Sequence, residues 1–328
     1  MAQNFMNTEN EESVDAVQVA LEEPTLLKQL EHAGMVAVVG RTNAGKSTLV
    51  NRIIGEKISI VSPVVQTTRN VVRGVLTDER GQLVLIDTPG LHKSKSPLCT
   101  IMNKHARAAS EGVDAVLLVM DGSKDPQLED DGWMRRLLFS KAPCVFALNK
   151  SDEGNRLDSF KALWNELKIE KPDANPVEPI WLVASAKTGD GVEKLEEALF
   201  ALLPPGPMLF DEETLSDYPK KLSVADVIRE KFFLTLRDEL PHSVGVKVDE
   251  IIEAPNGGID VRATVYVQKY NHKGIVIGPK GRGLRSVRRM AEKDLEVIFE
   301  KPVSVEMWIK VEKDWDQNYF LLKQMGYV

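Results

Sequence analysis

Short apolar runs alternate with helical patterns through the first two thirds of the chain. Amphipathic stretches lie between the runs, including Lys46–Ile54, which Gly55 closes, and Gly191–Leu203. The runs themselves predict five buried strands, Met35–Val39, Gln82–Ile86, Ala115–Met120, Val145–Leu148 and Ile180–Val183. Because strands buried on both faces read as continuous apolar runs, this alternation predicts a doubly wound α/β domain with a parallel sheet. Ligands of such sheets bind at the carboxyl ends of the strands.

The segment LPPGP at residues 203–207 ends this alternation, since its prolines cannot continue a helix or a strand. The elements expected beyond it are helix, strand, strand, short helix, long helix and strand, at Ser223–Leu240, Val244–Glu253, Ile259–Lys269, Lys273–Ile277, Arg282–Phe299 and Val303–Val311. The first 33 residues are acidic with little periodicity, which is typical of a mobile extension. We therefore expect an extension at 1–33, an α/β domain at 34–204, a linker at 205–220 and an α+β domain at 221–328.

The charge distribution sharpens this division. The 328 residues include 42 basic and 49 acidic ones, and the net charge of −7 taken alone speaks against nucleic acid. From Lys220 onward, however, there are 19 basic and 16 acidic residues, and Lys269–Arg289 holds seven basic residues and no acidic one. Clustered charge of one sign matters more for phosphate binding than the global sum, so the C-terminal domain is a candidate RNA-binding unit.

Several protein classes are excluded by composition. No run of about 18 apolar residues is present, so no membrane span is expected. The acidic N-terminus has neither an apolar signal core nor an arginine-rich transit pattern. Two cysteines, Cys99 and Cys144, are too few for a metal cluster, and Cys144 lies in an apolar strand. We expect a buried thiol in a reducing, cytoplasm-like compartment.

Residues 40–47, GRTNAGKS, form a complete P-loop pattern between a predicted strand and a predicted helix. Its glycines let backbone N–H groups close around phosphates, assisted by the helix N-terminus. We expect Lys46 to bridge the β- and γ-phosphates and Ser47 to ligate Mg²⁺ through its hydroxyl. The predicted phosphate-binding residues are Gly40, Arg41, Thr42, Asn43, Ala44, Gly45, Lys46, Ser47 and Thr48.

The segment NKSD at residues 149–152 follows a predicted strand and distinguishes GTP from ATP. Asp152 can accept from the guanine ring N–H and the exocyclic amine, two donors that adenine lacks. A polar site left unpaired by the wrong base discriminates on the order of 10⁴-fold. Lys150 is expected to lie along the base, and SAK at 185–187 to supply a backbone N–H for the guanine carbonyl. The predicted base-binding residues are Asn149, Lys150, Asp152, Ser185, Ala186 and Lys187.

Two further segments fit the role of switches ordered by the γ-phosphate. In DTPG, the segment Asp87, Thr88, Pro89 and Gly90, we expect the aspartate to hold Mg²⁺ through a water and the glycine N–H to face the γ-phosphate. In QTTRN at residues 66–70, Thr68 is the candidate Mg²⁺ ligand, with Thr67 as the alternative.

The residue after this glycine is Leu91, where many small GTPases place a glutamine that orients the attacking water. Leucine cannot orient water, so we expect slow intrinsic hydrolysis that depends on an activator. The next residue, His92, fits an exposed loop position better than a catalytic one.

The segment GPKG at residues 278–281 lies between two helical patterns. A GxxG turn between helices brings backbone and a basic side chain against four nucleotides, as in KH modules. The following helix places Leu284, Val287, Ala291, Leu295 and Ile298 toward a core, and Arg282, Arg285, Arg288 and Arg289 elsewhere. The predicted RNA contacts are Lys273, Gly278, Lys280, Gly281, Arg282 and Arg285.

Together GRTNAGKS, QTTRN, DTPG, NKSD, SAK and the KH-like segment resemble the Era family, bacterial ribosome-assembly GTPases of the TrmE-Era-EngA superfamily. The resemblance runs from about Val36 to Val328. It implies a type II KH fold, GTP hydrolysis stimulated by RNA, and binding to the 3′ end of 16S rRNA during assembly of the 30S subunit. It also implies a cytoplasmic protein with peripheral association with the inner membrane, which we expect to be a monomer.

Relatives with asparagine at the position of Asn43 and an apolar residue at that of Leu91 use K⁺, so the resemblance implies a potassium ion at Asn43. The catalytic set is then Lys46, Thr68, Gly90 and Asn43. Two features depart from the family: Pro279 removes a backbone N–H from the GxxG turn, and the acidic extension lies outside the family core.

Two other functions fit parts of the pattern. A passive RNA-binding scaffold would use its nucleotide site only for stability, but the intact Lys46, Ser47 and Asp87 favour turnover. An RNA-modifying enzyme is disfavoured because the C-terminal domain carries no catalytic grouping of side chains.

Overall fold

The computed structural model describes residues 28–61, 69–89, 97–109, 111–238 and 240–327. Their strands are β1 (Gln29–Leu30), β2 (Ala33–Val39), β3 (Val72–Asp78), β4 (Gly81–Asp87), β5 (Ala115–Asp121), β6 (Cys144–Asn149), β7 (Ile180–Val183), β8 (Gly206–Pro207), β9 (Val244–Glu253), β10 (Ile259–Val267) and β11 (Val303–Val311). Their α-helices are α1 (Lys46–Ile54), α2 (Pro97–Ala108), α3 (Leu128–Leu137), α4 (Leu157–Glu170), α5 (Val192–Leu202), α6 (Lys220–Thr235), α7 (Tyr270–Ile277), α8 (Arg282–Phe299) and α9 (Tyr319–Gln324).

The large sheet has the strand order β3-β4-β2-β5-β6-β7. Strands β4, β2, β5, β6 and β7 are parallel, as predicted, but the edge strand β3 pairs antiparallel with β4. The predicted parallel sheet is thus extended by an antiparallel edge strand that the sequence pattern did not predict. The pattern misses β3 because an edge strand keeps polar positions such as Arg73 exposed and never reads as an apolar run.

Helices cover both faces of this sheet, which explains why β2, β4, β5 and β6 are buried almost throughout. On one face α1 and α5 close a core around Leu49, Leu85 and Leu199. On the other face α3 and α4 close a second core around Trp133, Phe146 and Trp164. Strand order reverses at β2, between β4 and β5, and this is the switch point at which such sheets bind ligands.

The C-terminal domain is a three-stranded sheet in the order β11-β10-β9. Strand β10 runs antiparallel to β9 and parallel to β11. Helices α6, α7 and α8 pack on the sheet through a core that includes Ile228, Val265 and Ala291. The α6-β9-β10-α7-α8-β11 order is the predicted α+β KH arrangement, and β9, α8 and β11 have the predicted bounds.

Two details of this domain were predicted wrongly. The first helix runs over Lys220–Thr235 and not over Ser223–Leu240, because the chain turns extended at Leu236, its C-cap. On α8 the side chains of Val287, Ala291 and Leu295 are buried as expected, but Ile298 is 41% exposed. Helical spacing alone therefore overstates the core at this position.

The two ends of the large domain meet in a small sheet, where β1 pairs antiparallel with β8. Strand β1 thus lies inside the stretch predicted as a mobile extension, and residues 1–27 lie outside the described residues. The segment after β8 lies against the edge of the large sheet, since Val75 N donates to Leu215 O at 2.9 Å. No helix in the described part of the chain is both long and apolar enough to cross a membrane.

Candidate nucleotide site and RNA-binding face

The P-loop joins β2 to α1 through two glycines that no other residue could replace. Gly40 has φ +143° and a Cβ there would lie 2.2 Å from Val119 O. Gly45 has φ +93° and a Cβ would lie 2.2 Å from the Asn149 Nδ2. Both positive φ values and the lack of space require glycine, and they turn the loop around the N-terminus of α1.

Lys46 opens α1 and is buried inside this loop, with an exposure of 6%. Its ammonium donates to Gly40 O at 3.1 Å and Arg41 O at 2.9 Å. Burial lowers its pKa to about 8, against the opposing attraction of Asp87. A desolvated ammonium held by two neutral carbonyls is a ready partner for phosphate oxygens.

Asp87 ends β4 with an exposure of 0%, and its pKa is raised because burial penalises the charged form. Neither carboxylate oxygen has a well-formed hydrogen bond within the described residues. A buried carboxylate of this kind next to Ser47 and Lys46 fits Mg²⁺, which prefers oxygen ligands and commonly keeps waters. The residues that would hold Mg²⁺ are Ser47 through its hydroxyl and Asp87, and the ion would offset phosphate charge.

Asn149 connects the phosphate loop to the base-binding loop. Its Nδ2 donates to Ala44 O at 2.9 Å, and its Oδ1 accepts from the Ala186 N–H at 2.9 Å. The Ala186 N–H is therefore engaged within the chain. Which N–H of the SAK segment serves the guanine carbonyl stays a prediction.

Asp152 is positioned by its neighbours in the base-binding loop. Its Oδ1 accepts from Ser185 Oγ at 2.7 Å, and Lys187 Nζ lies 3.4 Å from its Oδ2. The Ser185 hydroxyl and, to a smaller extent, Lys187 lower the pKa of Asp152, so the carboxylate is charged at neutral pH. An ionised acceptor in this place suits the two donors on the guanine edge.

These loops enclose a cavity of about 720 Å³, a volume typical of a small-molecule site. Its lining from the predicted set comprises Arg41, Thr42, Asn43, Gly45, Thr48, Asn149, Lys150, Asp152, Ala186 and Lys187. The other described members of the predicted set are not among the residues that line this cavity: Gly40, Ala44, Lys46, Ser47, Asp87, Thr88, Pro89 and Ser185. Thr88 points away from the cavity, because its hydroxyl donates to Val38 O at 2.8 Å.

Part of the predicted switch chemistry lies outside the described residues. Thr68 with its alternative Thr67, and Gly90 with Leu91 and His92, belong to this group. Their predicted roles therefore stay predictions.

The GPKG segment forms a tight turn between α7 and α8. Gly278 has φ +70° and ψ 171°, and a Cβ there would lie 3.0 Å from the Gly283 N. Lys280 also has a left-handed φ of 53° and is exposed. Two predicted RNA contacts fold back on the turn, with Arg282 Nε donating to Pro279 O at 3.4 Å and Arg285 Nη2 to Lys280 O at 3.3 Å.

Beside the turn lies a groove of about 230 Å³ between α8 and β11. Arg285 and Arg288 line its helical side, and Val305 and Met307 line the strand side. Lys273 is partly exposed on α7. The groove thus combines apolar side chains with two guanidinium groups, a combination suited to unpaired bases and their phosphates, although the carboxylate of Glu306 also lines it.

The two domains meet at a buried arginine. Arg69 is 1% exposed, and its guanidinium donates to Val244 O at 3.0 Å and His242 O at 3.1 Å. It lies 5.8, 5.7 and 6.0 Å from the ring centres of Phe233, Trp315 and Tyr327. The residue that directly follows Thr68 in sequence is therefore held by the C-terminal domain.

Further contacts join the nucleotide domain to the C-terminal domain. Glu230 on α6 accepts from Val61 N at 2.9 Å and from Lys57 Nζ at 2.8 Å. On the other side of the interface, Leu98 and Met102 of α2 belong to an apolar cluster with Trp315, Leu322 and Tyr327. Chain segments before QTTRN, within it and in α2 after DTPG thus pack on the C-terminal domain.

Sequence reasoning missed three side chains that shape the site. Asp121 ends β5 and contacts two cations of the pocket. Arg52 on α1 donates to Ala186 O at 3.0 Å and Lys187 O at 2.7 Å, which fixes the base-binding loop. Arg69 carries the domain contact. Only Asp121 had a usable signal, since a polar residue directly after an apolar strand marks the ligand edge of the sheet.

Comparisons with known proteins agree with this architecture. Residues 35–150 match the family model described as 50S ribosome-binding GTPase, and residues 239–316 match the KH domain. The chain is 37% identical over 295 residues to GTPase Era of Halothermothrix orenii, covering 90% of this chain and 98% of that protein. It is 38% identical over 299 residues to GTPase Era of Geobacter sp. strain M21, covering 90% and 97%.

Solved structures give the same result. A variant of Era from Aquifex aeolicus bound to GDP and AlF4⁻ is 31% identical, with a TM-score of 0.82 over 90% of this chain and 99% of that one. A structure of Era in complex with MgGDPNP and nucleotides 1506–1542 of 16S ribosomal RNA has the same identity, TM-score and coverage.

Proposed function

This chain belongs to the Era family of GTPases, and we propose that its nucleotide state controls how its KH domain binds the 3′ end of 16S rRNA during assembly of the small ribosomal subunit. Residues 34–204 would be the GTPase domain and 221–328 the RNA-binding domain, joined by the linker at 205–220. Mg²⁺ is the expected cofactor of the GTP/GDP site.

The chemistry of the nucleotide pocket supports the first half of this proposal. The buried ammonium of Lys46 lies in the phosphate loop, and the ionised carboxylate of Asp152 lies in the segment that would bind the base. Replacing Asp152→Asn should shift the preference away from guanine nucleotides, with Asp190→Asn, an exposed carboxylate beyond the SAK segment, as the control. Unchanged guanine selectivity in the Asp152 variant would refute the assignment of the base site.

The turn and groove of the C-terminal domain support RNA as the partner. The double variant Lys280→Ala and Arg282→Ala should weaken RNA binding and flatten its salt dependence, with GTP affinity unchanged. The matched control, Lys293→Ala with Lys301→Ala, removes the same charge from the far half of α8 and beyond it. Equal losses in both pairs would mean that only net charge matters.

One observation carries the link between the two halves: Arg69, next to the candidate Mg²⁺ ligand Thr68, is buried in the KH domain. A γ-phosphate that orders residues 66–70 would act directly on a side chain anchored 175 residues further along the chain. RNA affinity should therefore differ several-fold between the GDP-bound and the GDPNP-bound protein. Equal affinities in the two states would contradict this coupling.

The decisive experiment measures GTP hydrolysis with and without an oligonucleotide that copies the 3′ end of 16S rRNA. Slow turnover that the oligonucleotide accelerates supports the proposed function. A protein without turnover, even with 30S subunits and K⁺, would be the passive RNA-binding scaffold instead.

The proposal also includes a potassium ion and a cellular location. Asn43 lines the cavity with a left-handed φ of 59°, a position compatible with a cation beside the phosphates. Exchanging K⁺ for Na⁺ should lower kcat; an unchanged kcat would exclude a potassium ion at Asn43. A cytoplasmic location with peripheral association with the inner membrane is tested by fractionating cells before and after a salt wash.

A further inference from the structure

The phosphate side and the base side of the pocket come from different parts of the chain. The P-loop follows β2, and the NKSD segment follows β6, with β5 between them in the sheet. Binding of a nucleotide requires both loops at a fixed separation, since one ligand touches both. The residue at the end of β5 is therefore in a position to set that separation.

Asp121 is that residue, and it contacts both loops with one carboxylate. Its Oδ2 accepts from Lys150 Nζ at 2.9 Å and lies 3.1 Å from Arg41 Nη2. Arg41 belongs to the P-loop and Lys150 to the NKSD segment, and both line the cavity. Asp121 is 2% exposed, but its two partners are partly exposed, so solvent screens these contacts in part.

The carboxylate is itself fixed from behind. Ser123 donates to its Oδ1 through the hydroxyl at 2.6 Å and through the backbone N–H at 3.2 Å. These bonds and Lys150 lower the pKa of Asp121 despite its burial, so it is ionised at neutral pH. On the other side, Arg41 Nε lies 3.3 Å from Asp130, which opens α3.

We propose that Asp121 is a positioning residue that holds the P-loop and the NKSD segment at a fixed separation through Arg41 and Lys150. This inference rests on the proposed function, because it concerns the same nucleotide site. Asp121 would act through these two loop residues, one predicted to bind the phosphates and the other the base, so its removal should change nucleotide affinity more than the chemical step.

Two other roles make different predictions. If Asp121 only reduced the positive potential of the pocket, its removal would tighten binding, and more so for GTP than for GDP. If it only stabilised the fold, removal would lower the melting temperature without a specific loss of affinity. The positioning role predicts weaker binding of GDP and GTP by the same factor, because both nucleotides span the same two loops.

The test replaces Asp121→Asn and measures Kd for GDP and GTP, kcat and the melting temperature. We expect Kd to rise about tenfold for both nucleotides, the effect typical of a lost charge-assisted contact, with kcat within about twofold of the unchanged protein. Asp131→Asn is the matched control, since it removes the Arg135 ion pair on the outside of α3. Tighter GTP binding, or an unchanged Kd, would overturn the proposal.

A double-mutant cycle with Lys150→Met identifies the route of the effect. The affinity losses of the two single variants should add up to more than the loss of the double variant, because each single change already removes the same contact. Strictly additive losses would contradict a route through Lys150. If Asp121→Asn does not fold, Ser123→Ala decides: it should weaken both nucleotides two- to threefold, and no change would overturn the proposal.

Failure of this inference is distinct from failure of the proposed function. If the wild-type protein binds and hydrolyses GTP and the Asp121 variant keeps normal affinity, only the positioning role is refuted. If the wild-type protein does not bind GTP, the proposed function is refuted as well.

Discussion

The nucleotide pocket and the domain interface both bury charged side chains, but they treat those charges differently. In the pocket Lys46 is held by neutral carbonyls and Asp87 has no well-formed hydrogen bond within the described residues. At the interface Glu230 accepts from three partners, and Arg69 is held by two carbonyls and three aromatic rings. The pocket thus leaves the Asp87 carboxylate to an external partner, whereas the interface pairs its main charged groups within the chain, although Arg69 Nε has no hydrogen bond to the described residues. Buried charge without an internal partner marks the ligand site, and nearly complete pairing is typical of the chain's own architecture.

The largest expected effect tests the pocket side of this contrast. Replacing Lys46→Met should weaken GTP binding at least about a thousandfold, because the phosphates lose their buried cation. The nucleotide-free protein should unfold with an unchanged or higher free energy, since methionine keeps the volume and removes the desolvated charge. Calorimetric titration and chemical denaturation measure the two quantities. A clear loss of stability would show that Lys46 is already satisfied without nucleotide.

The next effect tests the interface side. Replacing Arg69→Met should lower the free energy of unfolding by about 2–4 kcal/mol, because the carbonyls of Val244 and His242 lose a buried donor. Its control is Arg73→Met, whose half-exposed partner Asp217 contributes under about 1 kcal/mol. Urea denaturation distinguishes the two. Affinity for GDP should stay within about threefold in both variants, and a larger loss would mean that the interface also shapes the pocket.

A smaller effect sharpens the description of the interface. Tyr218 accepts from Asn70 Nδ2 at 2.7 Å and donates to Asp226 Oδ2 at 2.9 Å. Tyr218→Phe should therefore cost about 1–2 kcal/mol of unfolding free energy. Tyr270→Phe is the control, because Tyr270 is 79% exposed. Equal unfolding free energies of the two variants would show that Tyr218, and with it the linker, does not stabilise the interface.

The smallest effect is a pH dependence that belongs to the pocket alone. The pKa of Lys46 is lowered to about 8 in the empty site, and bound phosphate should return it toward its usual value. Above pH 8 binding must then take up a proton, so the Kd for GDP should rise about tenfold between pH 7 and pH 9. Titrations in buffers with different ionisation enthalpies measure the uptake directly.

The lowered pKa of Lys46 also makes the stability of the folded protein depend on pH. Between about pH 8 and the unfolded pKa of 10.5, the unfolded chain binds the Lys46 proton and the folded chain does not. The contribution of Lys46 to stability therefore rises with pH through this window, and below it the folded protein carries the full cost of the buried ammonium. A contribution that falls with pH would contradict this.

The contrast also explains what the sequence could predict. Phosphate and base contacts are made by loops whose residue types and spacing are set by the ligand, so GRTNAGKS and NKSD were recognisable without a fold. Parallel strands buried on both faces were equally visible as apolar runs. The KH domain could be placed because its turn combines glycines with a basic cluster.

The interface could not be predicted in this way, because its partners are distant in sequence. Arg69 was seen as part of a polar switch segment, and nothing in QTTRN shows that Val244 would accept its hydrogen bond. Edge strand β3 was missed for a related reason, since its pattern depends on its neighbour. Arg52 sits on the polar face of α1, where its role appears only once the base-binding loop is in place.

The pairing of β1 with β8 has a consequence for how this protein could be rearranged. Leu30 faces Gly206 across the small sheet, so the polypeptide enters and leaves the nucleotide domain at adjacent points. Neighbouring strands are about 4.8 Å apart, a gap that a short turn can close. The domain should therefore accept circular permutation there, with new ends opened in a surface loop, and could be inserted as a cassette into another host protein without straining either one.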